Sequence, residues 1–397
     1  MLKHISQTTA YRFIIRLGKE AISMEKLFLS KAKKITPAFI KKALWQFKWY
    51  CKTYPERKNQ KLKFNRKLKR YDFRSFYKNL KVEPRDLYVG PSSACNIKCR
   101  YCRYHGESGK VQMTGKNLMK YETAQAIATQ AKKITTLKRL IFTGRGEPFL
   151  NPRWFDMAKL IINNSTITEM CIFSNCMLLN EETINKLVEI SSMIKLELVA
   201  SIDGSSPKDT EYWRKGSDYE IIKRNFIIAN EILRKNHVNF YVQGASVLPA
   251  EMRGQDYNTI MQWADSSGDY LRKDFPFASI GMRACMPDAY MLGTDTITVA
   301  EPIRNLCREL FNSIYINDYG DILDCNCALE PFVIGNVLSG DMYDLWRNSS
   351  RIAEARSILS GGGELREPEQ CLTCYGRPCK NTHEFVILNE GFEICQK

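Results

Sequence analysis

The sequence predicts an α/β fold in which helices cover a parallel sheet that curls toward a barrel. Between residues 86 and 282, six apolar segments of strand length alternate with five helical segments. Such alternation is typical of parallel sheets, whose crossovers are right-handed and would curl this one into a barrel. The predicted strands lie near 86–90, 139–143, 169–174, 196–202, 238–246 and 277–282, and the predicted helices near 121–134, 153–164, 181–191, 217–235 and 256–266.

A short cysteine-rich segment follows the first predicted strand. Cys95, Cys99 and Cys102 lie in CNIKCRYC, at spacings of four and three residues. Three thiolates on a short loop can hold three irons of a 4Fe–4S cluster, whose usual complement is four cysteines. The fourth iron is then open, and an open metal position is where a cluster can do chemistry. A zinc site with His105 as the fourth ligand is the alternative.

Three further motifs close later predicted strands. They are TGRGEPFLNP at 143–152, FSNC at 173–176 and ASIDG at 200–204. Together with CNIKCRYC, and in this order, they resemble the radical S-adenosylmethionine (SAM) enzymes. The resemblance implies a partial (β/α)6 TIM-like barrel with its site at the carboxyl ends of the strands. It also implies a SAM-binding 4Fe–4S cluster on Cys95, Cys99 and Cys102, and reductive cleavage of SAM to a 5′-deoxyadenosyl radical that abstracts hydrogen.

The same resemblance assigns contacts to SAM. The turn Gly146–Pro148 would approach the SAM amino group closely, which glycine permits because it lacks a Cβ. Ser201 and Asp203 end the fourth predicted strand and would contact the ribose or the carboxylate. Tyr101 would stack near the adenine.

The C-terminal hundred residues hold a second set of cysteines around a predicted hairpin at 314–324 and a predicted helical stretch at 342–358. This part resembles the SPASM or shorter twitch extensions of radical SAM enzymes, which hold one or two auxiliary iron–sulfur clusters. The cysteines are Cys307, Cys325, Cys371, Cys374, Cys379 and Cys395. One cluster would use the first four, whereas with two clusters the last four would hold the outer one.

The chain departs from the SPASM pattern at two positions. His383 stands where the pattern has a cysteine, and Cys327 stands where the pattern demands nothing. Either side chain could therefore ligate the cluster nearer the core, or only one auxiliary cluster exists. A zinc knuckle in the C-terminal segment is the alternative.

Composition bears on the compartment. The chain has 14 cysteines in 397 residues, and no apolar run approaches the roughly 18 residues of a membrane span. Oxygen-sensitive clusters need a reducing interior, so we expect a cytoplasmic protein. Cys51, Cys171 and Cys176 fit as small apolar side chains. Cys285 follows the last predicted strand and could face the substrate, which makes it a weak catalytic candidate.

The net positive charge of the chain is confined to a predicted helical extension, residues 1–82. This segment has 23 Lys and Arg against 4 acidic residues, a balance of +19 within a chain of net charge +16, so the remainder carries −3. Three roles compete, in decreasing order of preference: a helical arm packed on the barrel, contact with an anionic membrane surface, and contact with nucleic acid. The predicted organisation is thus 1–82, a core at 83–300 and an iron–sulfur domain at 301–397.

The predicted activity is hydrogen abstraction from a substrate that the sequence does not name. A small metabolite such as a sugar or an amino alcohol is slightly favoured over a peptide, because residues 1–82 lack a recognisable winged-helix leader-binding domain. An external donor would reduce the core cluster, and an auxiliary cluster would accept an electron from the substrate radical or orient the substrate. A non-catalytic, zinc-stabilised basic module that binds nucleic acid or membrane is the alternative from another class.

Overall fold

The computed structural model describes residues 81–102, 104–106, 117–252, 257–285, 309–325 and 331–359. No helix in these ranges is long and apolar enough to cross a membrane. The basic extension up to residue 80 lies outside the described residues. So do seven predicted cluster ligands: Cys307, Cys327, Cys371, Cys374, Cys379, His383 and Cys395.

Within the described ranges, nine strands form one sheet in the order β6-β5-β4-β3-β2-β1-β7-β8-β9. Strands β1 to β6 are all parallel and follow each other in chain order, as expected for a partial (β/α)6 barrel. This confirms the predicted fold class. The strands are β1 (Asp86–Val89), β2 (Arg139–Phe142), β3 (Glu169–Ser174), β4 (Lys195–Ser201), β5 (Asn239–Val247), β6 (Ser279–Cys285), β7 (Ser313–Ile316), β8 (Asp321–Leu323) and β9 (Val333–Asn336).

All five predicted helices are present, and the structure adds short ones that the sequence analysis missed. Two of these, α4 and α7, lie between predicted elements and have seven and six residues. The helices are α1 (Tyr121–Ala131), α2 (Trp154–Asn163), α3 (Glu181–Met193), α4 (Pro207–Trp213), α5 (Tyr219–Leu233), α6 (Tyr257–Ser266), α7 (Asp269–Asp274), α8 (Glu309–Asn312), α9 (Met342–Asn348) and α10 (Ser350–Leu359).

The two faces of the parallel sheet differ in burial. Along β5, Phe240 and Val242 are buried, whereas Tyr241 and Gln243 between them are only half-buried. Side chains alternate across a strand, so one face packs against the helices and the other lines the interior of the barrel. A closed barrel of this kind fills its interior with layers of side chains. Here Ile141, Cys171 and Val199 form a small buried cluster on the interior face, and Tyr241 and Gln243 further along this face are half-buried.

The C-terminal segment continues the same sheet. β7 pairs with β1 in parallel, and β7 and β8 form the predicted hairpin. Trp346 is buried and donates its indole N–H to the carbonyl of Ser313 at 2.7 Å, which fixes α9 against β7. Arg356 in α10 donates to the carbonyl of Leu310 in α8 at 2.6 Å, which joins these two helices. The sheet therefore runs across the predicted boundary at residue 300.

Candidate active site

The cysteine loop lies directly after β1, at the carboxyl edge of the parallel strands. Cys99 is buried, and Cys95 and Cys102 are half-buried. The loop winds in tight turns, because Cys102 N–H donates to the Cys99 carbonyl and Gly106 N–H to the Cys102 carbonyl, both at 2.9 Å. Burial raises the pKa of Cys99 to about 12 against the lowering effect of Arg214. The Cys99 thiol would therefore bind metal with release of a proton.

A second backbone segment clamps the cysteine loop. Lys98 N–H donates to the Lys215 carbonyl and Arg100 N–H donates to the Trp213 carbonyl, both at 2.8 Å. The donor position rises from 98 to 100 while the acceptor position falls from 215 to 213, so the two segments run antiparallel to each other. The guanidinium of Arg100 also donates to the Tyr212 carbonyl at 2.8 Å and lies 4.4 Å from the centre of the Tyr212 ring. The C-terminal end of α4 and the two residues that follow it thus hold the middle of the cysteine loop in place.

A buried network joins this clamp to the end of β4. Oδ2 of Asp203 accepts hydrogen bonds from the Tyr101 hydroxyl and, at 2.7 Å, from Nη1 of Arg214. Oδ1 of Asp203 accepts from the backbone N–H of Ala245 at 2.8 Å. The predicted site residues Tyr101 and Asp203 are therefore brought together. The structure uses both carboxylate oxygens of Asp203 within the protein, and the proposed contact of Tyr101 with adenine stays a prediction.

Arg214 is the main site residue that the sequence analysis missed. Its side chain is 10% exposed, and within the described part of the chain its Nε–H has no hydrogen-bond partner. Buried polar groups are nearly always hydrogen-bonded, and an orphan donor needs an acceptor from a ligand or water. Its position beside the cysteine loop would allow it to donate to an anionic group of a bound cofactor. The sequence carries no signal for this role, because Arg214 is a single arginine between two predicted elements.

The glycine turn after β2 packs against the residue that precedes Cys95. A Cβ on Gly146 would lie 2.1 Å from the carbonyl oxygen of Ala94, far inside contact distance. The next residue, Glu147, donates its backbone N–H to the same oxygen at 2.8 Å. The space that glycine leaves is thus occupied by the cysteine loop, which explains why this position carries glycine.

Gly146→Ala is therefore expected to displace the cysteine loop and to lower the iron and sulfide content of the anaerobically reconstituted protein by up to the content of one 4Fe–4S cluster. The strain of forcing a methyl group into a packed site costs about 1–3 kcal/mol. Gly90→Ala is the matched control at the end of β1, since its Cβ would meet nothing closer than 3.4 Å. Equal iron content in the two variants would contradict this explanation.

The carboxylate of Glu147 is used inside the protein. Oε1 accepts from the Ser174 hydroxyl at 2.8 Å and Oε2 accepts from the Asn175 backbone N–H at 2.8 Å. Burial raises the pKa of Glu147 to about 7, although these donors and Arg214 lower it. Glu147 thereby ties the turn, which continues from Pro148 into a short 3₁₀ helix, to the end of β3.

The FSNC motif at the end of β3 reaches the cysteine loop. The Asn175 side chain donates to Oδ1 of Asn96 at 2.8 Å, and the same nitrogen lies 4.0 Å from Sγ of Cys95. Cys176 adopts a left-handed backbone conformation with φ of 60° and is fully buried. The motif therefore positions Asn175 beside the first cysteine, while Cys176 belongs to the core.

The remaining predicted site residues are dispersed. Ser201 is half-buried at the end of β4, across from Gln243 on β5. Cys285 is the last residue of β6, but its side chain lies outside the described part of the structure. Cys325 is buried just after β8 and is the one predicted auxiliary ligand within the described ranges.

The zinc alternative lacks a matching geometry among the described residues. Nε2 of His105 lies 3.0 Å from the Arg145 carbonyl and is hydrogen-bonded there. No three His, Cys, Asp or Glu side chains in the described ranges converge on one ion position. A structural zinc site needs four such ligands around one ion. Three separate thiols and an unpaired arginine donor beside them instead fit a cluster with three protein ligands and an anionic cofactor.

Comparison with protein families agrees with this geometry. Residues 89–249 match the radical SAM superfamily, and residues 307–375 match the SPASM iron–sulfur cluster-binding domain. The chain belongs to the radical SAM superfamily and carries a C-terminal SPASM domain, as the motifs predicted. Its cofactors are accordingly a 4Fe–4S cluster, SAM and auxiliary iron–sulfur clusters. Cys95, Cys99 and Cys102 would hold the first cluster.

One curated relative matches a part of the chain. The tungsten-containing aldehyde ferredoxin oxidoreductase cofactor-modifying protein of Pyrococcus furiosus is 30% identical over 105 residues. That match covers 26% of this chain and 27% of the relative, so the chain spans about a quarter of the length of that protein.

Two solved structures cover more of the chain, at lower sequence identity. The anSMEcpe protein with bound AdoMet is 19% identical, with a TM-score of 0.49, covering 75% of this chain and 85% of that one. SuiB of Streptococcus suis bound to S-adenosylmethionine is 18% identical, with a TM-score of 0.48, covering 91% and 82%. Neither likeness is high enough to assign a substrate.

Proposed function

We propose that this protein cleaves SAM reductively to 5′-deoxyadenosine and methionine by way of a radical that abstracts hydrogen from a small polar metabolite. The observation that carries the proposal is the cysteine loop with an unpaired, buried Arg214 Nε–H beside it. When bound, the cluster supplies the electron that cleaves a carbon–sulfur bond of the SAM sulfonium. All other steps depend on how the chain binds and orients SAM and the substrate.

Arg214 would bind the carboxylate of SAM. Its Nη1 is committed to Asp203 and Tyr101, at 2.7 and 2.8 Å, which fixes the plane of the guanidinium. The Nε–H then points to an acceptor that the described protein residues do not provide. A charged carboxylate is the strongest such acceptor in SAM, because charge-assisted hydrogen bonds are about twice as strong as neutral ones.

The substrate would bind against the open face inside the barrel. Ser201, Tyr241 and Gln243 lie on this face, are half-buried, and have no side-chain hydrogen-bond partner among the described residues. Gly281 on β6 leaves room for the Tyr241 hydroxyl, since a Cβ there would lie 1.8 Å from it. Uncharged donors and acceptors of this kind suit hydroxyl and amino groups, as in a sugar or an amino alcohol.

The proposal predicts a simple product assay. Full-length protein, reconstituted anaerobically with iron and sulfide and reduced with dithionite, should form equal amounts of 5′-deoxyadenosine and methionine from SAM. The low-molecular-weight fraction of a cell extract should raise the rate of 5′-deoxyadenosine formation, whereas the peptide fraction should not. No cleavage by protein with a full iron complement would contradict the activity, and stimulation by the peptide fraction alone would contradict the substrate class.

A further inference from the structure

We propose that Arg283 on β6 binds an anionic group of the substrate, a carboxylate or a phosphate, at the mouth of the barrel. The inference rests on the proposed function and deepens it, because it narrows the small polar metabolite to one that carries a negative charge. It concerns binding alone, and no covalent bond forms or breaks at this residue.

Arg283 lies on the interior face of the sheet. Its neighbour Met282 packs into the hydrophobic core under the helices. Gly281 faces the other way, since a Cβ there would lie 1.8 Å from the hydroxyl oxygen of Tyr241. The Tyr241 ring packs against the interior cluster of Ile141, Cys171 and Val199. Because side chains alternate along a strand, Arg283 shares the interior face with Gly281.

The guanidinium of Arg283 has no counter-ion in the part of the chain that the structure describes. The residue is half-buried, and no described side chain or carbonyl forms an ion pair or hydrogen bond with it. Arg139 provides the contrast: it lies on the same face at the opposite end of the strands and pairs with Asp86 at 3.1 Å. Partial removal of a cation from water costs free energy unless an anion compensates. Arg283 is thus available to the anion of a ligand.

Two uncharged polar side chains lie next to the base of Arg283. Gln243 on β5 is the register partner of Gly281, and the Tyr241 hydroxyl occupies the space that Gly281 leaves. Neighbouring strands are about 4.8 Å apart, so one small ligand can reach all three side chains. The planar fork of a guanidinium matches the oxygens of a carboxylate or a phosphate, and an amide and a hydroxyl supply further donors.

The anion belongs to the substrate because the one anionic group of SAM, its carboxylate, is assigned above to Arg214. Arg214 donates to the hydroxyl of Tyr101 in the cysteine loop at 2.8 Å, which places that carboxylate beside the cluster. Arg283 is the register partner of Ala245, and the backbone N–H of Ala245 donates to Asp203 on its other side. An anion on Arg283 would therefore lie next to the SAM site without competing for Arg214.

Arg283→Gln tests the anion site. When the low-molecular-weight fraction of a cell extract is passed over an anion exchanger, the retained part should stimulate 5′-deoxyadenosine formation and the unretained part should not. In the variant, the concentration of the retained part that gives half-maximal stimulation should rise about tenfold or more, as expected for loss of charge-assisted hydrogen bonds. Arg283→Lys keeps the charge without the planar fork and should show a smaller rise.

Two further measurements identify the ligand and locate its site. Treatment of the retained part with alkaline phosphatase should abolish the stimulation if the anion is a phosphate and leave it unchanged if the anion is a carboxylate. Phenylglyoxal, which modifies guanidinium groups, should label Arg283 in the cluster-loaded protein, as mapped by mass spectrometry. Inorganic phosphate or the retained part should protect Arg283 from this labelling.

Arg224→Gln is the matched control, because Arg224 is exposed on α5 and the change in net charge is equal. It should leave the half-maximal concentration unchanged, and neither anion should protect Arg224 from phenylglyoxal. The affinity of Arg283→Gln for SAM, measured by equilibrium dialysis, should equal that of the unmodified protein, in contrast to Arg214→Met.

Three results would overturn the anion site and leave the proposed function standing. They are stimulation by the unretained part alone, an unchanged half-maximal concentration in Arg283→Gln, and a loss of SAM affinity in that variant. Absence of SAM cleavage by the iron-loaded, unmodified protein would instead refute the proposed function. Protection of Arg283 from phenylglyoxal would then decide the anion site alone, and equal labelling with and without the anions would overturn it.

Discussion

Cys99→Ala is expected to abolish SAM cleavage and to remove the SAM-binding cluster. The loop would supply three thiolates for four irons, so loss of one would leave two protein ligands and an unstable cluster. Iron and acid-labile sulfide should fall by the content of one 4Fe–4S cluster, and 5′-deoxyadenosine should fall to the level without protein. Cys95→Ala and Cys102→Ala should behave alike, because the three residues act as one ligand set.

Cys171→Ala is the control for this prediction. Cys171 is also buried, but it lies on β3 and donates its thiol hydrogen to Glu197 at 3.3 Å. This variant should keep its full iron content and cleave SAM. If Cys99→Ala retained the iron of the unmodified protein, or Cys171→Ala lost as much, the assignment of the loop would be wrong.

Arg214→Met is expected to destabilise the protein strongly. The guanidinium and the Asp203 carboxylate are 10% and 7% exposed, so removal of the cation leaves an unpaired buried charge, at a cost of about 3–5 kcal/mol. The melting temperature of the anaerobic, cluster-loaded protein should fall by several degrees. The affinity for SAM, measured by equilibrium dialysis, should fall as well.

The double variant Asp203→Asn/Arg214→Met should recover part of the lost stability, because the unpaired charge is then gone. Arg272→Met is the control on an exposed pair. Arg272 pairs with Asp265 and, at 2.7 Å, with Asp269. The arginine is 36% exposed and both carboxylates are about 70% exposed, and such pairs contribute about 0–1 kcal/mol each. Similar losses of stability in Arg214→Met and Arg272→Met would contradict the buried network.

The strands and their closing motifs could be predicted because apolar runs and turn residues are local signals. The order of CNIKCRYC, GEP, FSNC and SIDG was enough to predict the family and the fold, whereas the cysteine ligands stay a prediction. The clamp by residues 213–215 could not be predicted, since hydrogen bonds between distant backbone segments leave no pattern in either segment. Arg214 was missed for the same reason, because its role depends on burial beside Asp203 and Tyr101.

The contact of Gly146 could not be predicted from its motif. A glycine next to a glutamate indicates a close approach, but only the fold shows that Ala94 is the group approached. The hairpin of β7 and β8 was predicted from its turn residues. The parallel pairing of β7 with β1 was not predicted. The order of strands across a sheet depends on long-range packing, which local sequence does not specify.

The most direct test of the central claim is the metal content and electron paramagnetic resonance (EPR) spectrum of the anaerobically purified protein. We predict iron and acid-labile sulfide in equal amounts, a signal from a reduced 4Fe–4S cluster after dithionite, and a change of that signal when SAM is added. The change should be absent in the variant that lacks Cys95, Cys99 and Cys102. Stoichiometric zinc without acid-labile sulfide, or a spectrum that SAM leaves unchanged, would contradict the account.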